Sequence, residues 1–164
     1  MGLHSKNDKL FYIRDSDRNQ AEFYRLRALL QKFKETQLTT GTFPKELLDE
    51  VDRDSHRLDK GPPVACVVYQ FANDVITFGT STHNPHDRFD RQRMIDIATA
   101  RSAEPRQGNV IRTPAGVHPR QVERLIKLHI LANPASFPNR LRNPLKACQL
   151  VWDSPEKTDV SATP

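Results

Sequence analysis

The chain predicts a single α+β domain. Three observations carry that expectation. Phe23, Leu26, Leu30 and Phe33 recur at helical spacing near the start. VACVVYQ (64–70) and VITFGTST (75–82) are β-branched and aromatic runs separated by FAND. HPRQVERLIKLHILAN (118–133) opens on His-Pro and repeats apolar residues every three to four positions. Helical periodicity early, a hairpin in the middle and helices afterwards is the α+β order.

In chain order, LFYI within residues 1–15 reads as a short strand or as an arm packed on the body. Residues 17–37 form the first helix, with Ser16 or Asp17 as its cap. FPKELLDEVDRDSHRL (43–58) forms the second, with Pro44 in its first turn and Leu48, Val51, Ser55 and Leu58 on one face. The two are expected to pair as a helical hairpin over residues 1–60. KGPP at 60–63 breaks the pattern before the β-hairpin. RQRMIDIATARSA (91–103) is a third helix, with Met94, Ile97, Ala98 and Arg101 at i, i+3, i+4 and i+7 and Ile95 widening the apolar face. EPRQGNVIRTPAG (104–116) is a loop with room for one added strand at NVIRT. The fourth helix takes His118 as cap and Pro119 as first residue. Its core side is Val122, Leu125, Ile126 and His129, and its basic side is Arg120, Arg124 and Lys127. NPASFPNRLRNP (133–144) is an irregular strap, LKACQLVW (145–152) a final packed segment, and residues 153–164 a loose tail. The domain is thus expected over 1–152.

Composition narrows the function classes. The chain has 164 residues and 18.8 kDa, a size suited to one modest core. No apolar run nears the roughly 18 residues needed to cross a bilayer, and the first residues lack a secretory apolar region. MGLHSK resembles a myristoylation start only out of register, since Lys6 stands where Ser or Thr is required. A cytoplasmic protein is expected. Its two cysteines, Cys66 and Cys148, are expected as free thiols. No cofactor is implied.

The net charge is +5 and is unevenly placed. Residues 105–150 carry eight basic side chains, Arg106, Arg112, Arg120, Arg124, Lys127, Arg140, Arg142 and Lys146, against the one acid Glu123. Such a block suits nucleic-acid phosphates or the acidic surface of a partner complex. Arginine predominates, which favours bidentate contacts. Aromatic interleaving is sparse there, so stacking of single-stranded bases on this block is poorly supported. A helix-turn-helix built from 91–103 and 119–131 is disfavoured, because the intervening segment far exceeds a turn of 3–4 residues.

The stretch GTSTHNPHDRFDRQRMIDIATAR (79–101) is the other concentration of polar chemistry. His83 and His86, three apart, with Asp87 and Asp90, suggest metal ligands, but Pro85 opposes a helical arrangement and further ligands are not evident. Ser81 has His83 where a nucleophile elbow needs glycine. The structural reading has Asp87 or Asp90 capping the next helix, with Phe89 packing back as a staple. A third reading is an anion-binding junction formed by Ser81, Thr82, Asn84, Arg88 and Arg91 at a helix start.

Residues 79–103 resemble small, mostly uncharacterised proteins of phages and mobile elements. Those read roughly G-x-S, then P-x-D-x-F, a basic residue, a glycine, and I-A-x-x-R. Gly79, Ser81, Pro85, Asp87, Phe89, Arg91, Ile97, Ala98 and Arg101 match in order. Met94 stands where the pattern has glycine. The resemblance implies a phage or mobile-element origin and a host-facing regulatory or anti-defence role, with no activity attached.

The combined expectation is a basic binding protein, not an enzyme, that engages nucleic acid or a nucleic-acid-handling host complex. The rivals are an enzyme acting on a phosphate-containing substrate through His83, His86 and Asp87, and a virion assembly protein. The Leu-bearing faces of the first sixty residues allow a homodimer.

Overall fold

The computed structural model describes residues 8–40, 45–51, 61–83, 88–104, 109–137 and 139–142. Within them, a four-stranded antiparallel sheet has helices on both faces, an α+β architecture. The strands are β1 (Lys9–Arg14), β2 (Pro63–Ala72), β3 (Val75–Thr82) and β4 (Val110–Arg112), and they lie side by side in that order. LFYI is therefore a strand. It pairs Phe11 with Val67 and Ile13 with Ala65. The added strand at NVIRT forms as β4, with Ile111 opposite Ile76.

The hairpin turn is tighter than FAND implied. Phe71 and Ala72 continue the ladder opposite Ile76 and Val75. Only Asn73 and Asp74 remain in the turn, at φ 53° and 60°. Positive φ at both central residues is the two-residue turn whose twist matches that of paired strands, and Asn and Asp tolerate it best after glycine.

Alternation along the strands divides the interior in two. Phe11, Ile13, Ala65, Val67, Tyr69, Ile76, Phe78 and Ile111 face the larger core. Against them pack α1 (Asp17–Thr40), α2 (Lys45–Val51), α4 (Pro119–Ala132) and α5 (Asn139–Arg142). Cys66 and Val68 face the other way, onto Met94, Ile95 and Ala98 of α3 (Arg91–Ala103). Since α3 and α4 lie on opposite faces of the sheet, they do not form a helix-turn-helix.

α1 begins on Ser16, whose Oγ accepts from the Asn19 amide at 3.2 Å. It runs past residue 37 to Thr40 and is kinked at Phe33, where φ and ψ are −108° and 15°. α2 packs against α1 and α4 through buried Leu47, Leu48 and Val51. The remainder of the expected second helix, with Ser55 and Leu58, lies outside the described residues. α4 starts as expected. His118 Nδ1 accepts from the Arg120 amide at 3.2 Å, and Gln121 Oε1 accepts from the His118 amide at 2.8 Å, a reciprocal box. Gln121 also donates to the Leu48 carbonyl at 3.1 Å, tying the cap to α2. In the strap, Phe137 is buried and stacks on Phe78. Four residues of the strap form α5, which buries Leu141. Residues 145–164 lie outside the described residues.

Candidate polyanion-binding surface at the start of the third helix

Two of the eight expected basic residues have a different place from the one their spacing suggested. Arg124 and Lys127 are buried, with side chains only 4% and 8% exposed. Both close on Glu22 of α1: Arg124 Nε donates to Oε1 at 2.8 Å and Lys127 Nζ to Oε2 at 2.6 Å. Lys127 also donates to Asn19 Oδ1 at 3.3 Å and lies 5.8 Å from the ring centres of both Phe11 and Phe23. Burial alone would raise the Glu22 carboxyl above its ordinary range. Lys127 and Arg124 outweigh that and hold it lower. These cations are committed to joining α4 to α1 and are withdrawn from any partner surface.

The other residues of the block are scattered. Arg112 is exposed on β4, and Arg120 is exposed in the first turn of α4. Arg142 is half-buried and donates to the Phe137 carbonyl at 3.2 Å, while its own carbonyl accepts from Arg27 at 3.0 Å. Arg106, Lys146 and the side chain of Arg140 lie outside the described residues.

The 79–101 stretch resolves into a packing half and an exposed half. Gly79 lies directly beneath α3: a Cβ there would collide with the Ala98 carbonyl and the Ser102 amide. Ser81, expected near an anion, is 2% exposed, and its hydroxyl donates to the Met94 carbonyl at 2.7 Å. A hydroxyl so occupied serves neither as nucleophile nor as anion ligand. Arg101 donates to the Thr80 carbonyl at 2.6 Å. The inner face of α3 is Met94, Ile95, Ala98, Thr99 and Ser102. It is rotated from the expected one, so that Ile97 is half-buried and Arg101 exposed at the edge. The rotation follows from polar pairing, because Thr99 and Ser102 bond back to helix carbonyls and tolerate burial beside Gly79.

The exposed half lies just ahead of and within the first turn. Asp90 is the cap, its Oδ1 accepting from the Arg93 amide at 3.1 Å. The helix start is thus already satisfied by an internal carboxylate. Arg88, Phe89, Arg91 and Arg93 surround it, all exposed. Arg91 Nε donates to the Tyr12 hydroxyl at 2.9 Å, and that bond chiefly raises its basicity further. The Arg14 guanidinium lies 5.1 Å from the Tyr12 ring centre and donates to the Gly61 carbonyl at 2.9 Å. Tyr12 thereby contacts two arginines, Arg91 through its hydroxyl and Arg14 through its ring. Phe89 does not bury itself as a staple. It is 41% exposed and makes a perpendicular contact with His83, ring centres 5.2 Å apart. Thr82 is exposed at the end of β3, while Asn84, His86 and Asp87 lie outside the described residues. Among the described residues no group of three or more His, Cys, Asp or Glu side chains is placed to hold a metal ion, and no helix is long and apolar enough to cross a membrane.

Compared with protein families, with characterised proteins and with solved structures, the chain matches none.

Proposed function

We propose that the protein binds nucleic acid through the arginine-bearing surface at the start of α3, without catalysing a reaction. The observation that carries this reading is the exposure of Arg88, Arg91 and Arg93 within six residues, with Arg91 held by the Tyr12 hydroxyl and Arg14 over the same ring. Guanidinium groups present planar pairs of donors that match phosphate oxygens. Fixing one of them on a tyrosine lowers the entropy lost when it engages. Arg112 and Arg120 extend the basic character elsewhere on the exterior. The resemblance of residues 79–103 to proteins of phages and mobile elements suits a regulatory or anti-defence setting for such contact.

An electrophoretic mobility assay with mixed single-stranded and duplex DNA and RNA at low salt tests the reading. The expected result is a shift whose affinity falls with salt at a log–log slope of about −2 to −3, the value for three or four phosphate contacts on a single strand. The charge reversals Arg88→Glu and Arg93→Glu together should abolish it. An unshifted probe in every case overturns nucleic-acid binding.

A further inference from the structure

We infer that the preferred ligand is a single strand, with Phe89 as the platform on which a base stacks. This rests on the nucleic-acid reading above and adds the substrate class. Phe89 is the large apolar side chain left exposed among the described residues, and it stands between Arg88 and Arg91 in the chain. It meets the His83 ring perpendicularly, centres 5.2 Å apart, and is still 41% exposed, so the ring is braced and accessible. An aromatic face flanked by cations is what a strand with unpaired bases uses, base on ring and phosphate on guanidinium.

The rest of α3 argues against a duplex groove. Phosphate contacts fix a protein's position on a duplex, and cations spread along a helix would favour that mode. Here the outward side of α3 after Arg93 carries Asp96, which accepts from Gln92 at 2.9 Å, then Ala100, with Glu104 following the helix. Beyond Arg93 the remaining cation of α3 is Arg101, whose guanidinium donates to the Thr80 carbonyl at 2.6 Å, so the open positive charge sits at the first turn, where a few phosphates of a flexible strand can gather. His83 contributes the brace, not a ligand contact.

The test uses the intact chain and fluorescence anisotropy with two labelled probes, an oligo(dT) of about 12 nucleotides and a duplex of about 12 base pairs, at about 50 mM salt. Oligo(dT) should bind more tightly than the duplex. Phe89→Ala should weaken oligo(dT) binding about tenfold or more and leave the duplex unchanged. Phe89→Leu, which keeps apolar bulk without a π-face, should behave as the alanine variant does, and Phe89→Trp should retain binding. Unchanged oligo(dT) affinity in the Ala and Leu variants, or duplex binding at least as tight, overturns the single-strand assignment and leaves nucleic-acid contact standing. Failure of both probes to bind the unaltered chain overturns that contact as well.

Discussion

Glu22→Gln should be among the most damaging conservative substitutions in the chain. The glutamine fills the same space, so the effect isolates charge. Arg124 and Lys127, at 2.8 and 2.6 Å from the two carboxylate oxygens and nearly excluded from water, would keep their charges and lose their counterion. Breaking a buried ion pair by removing one partner costs about 3–5 kcal/mol. With a urea slope of about 2 kcal/mol per M, the midpoint measured by circular dichroism should fall by about 2 M. A fall below about 0.5 M would mean that the cluster behaves as an exposed pair, and would refute its role as the junction of α1 and α4. Removing all three charges together, as Glu22→Leu, Arg124→Met and Lys127→Met, should recover most of the loss, since apolar groups of similar volume replace such clusters at little cost. Acid has a defined sign here. Burial is outweighed by Lys127 and Arg124, so the folded carboxyl titrates below its unfolded value of about 4.3. The stabilisation is complete above that value and is lost as pH falls through the folded one. Unaltered protein and Glu22→Gln should therefore converge in stability at strongly acid pH.

Gly79→Ala should push α3 away from β3 because the new methyl meets helix backbone. A loss of about 3 kcal/mol in chemical denaturation is expected, and a stability like that of the unaltered chain would refute the close approach. His118→Ala should cost about 1 kcal/mol, and His118→Asp should keep or improve stability, because a carboxylate caps a helix better than an imidazole does. Cys66 should resist thiol reagents at pH 8 in a Cys148→Ser background until urea unfolds the chain. Burial pushes its thiol up to about 12, and rapid labelling of the native protein would show that the α3 side of the sheet opens readily.

Much of the fold was legible because it depends on local pattern. The bounds of α3, the Pro119 start of α4 and the existence of the hairpin follow from periodicity and caps. The hairpin turn is two residues shorter than FAND suggests, because Asn-Asp without glycine is a weak turn signature, yet both residues accept positive φ. Arg124 and Lys127 misled for a different reason. On a helix, i and i+3 basic residues look like a solvated stripe unless an acid elsewhere is known to face them, and Glu22 is about a hundred positions away in the chain. An apolar residue near a helix start usually packs inward, and that rule predicts a staple at Phe89. The structure leaves it 41% exposed, its ring perpendicular to that of His83. Ser81 suggests part of an anion site, and Gly79, Ala98 and Arg101 are matches of the resemblance; together they are the means by which one strand carries one helix.

The sheet order holds a consequence for how the chain reaches this state. β2, β3 and α3 follow one another closely in the chain, and their contacts close short loops. β1 pairs with β2 across the intervening residues 15–62, so its contacts close a much longer loop than those of the β2–β3 hairpin. Loop closure over that span has its entropy cost met late. Hydrogen exchange should accordingly find two kinetic populations of amides, with β1 exchanging through an opening that leaves the β2–β3 ladder protected. The N-terminal strand is then the last piece to lock and the first to release.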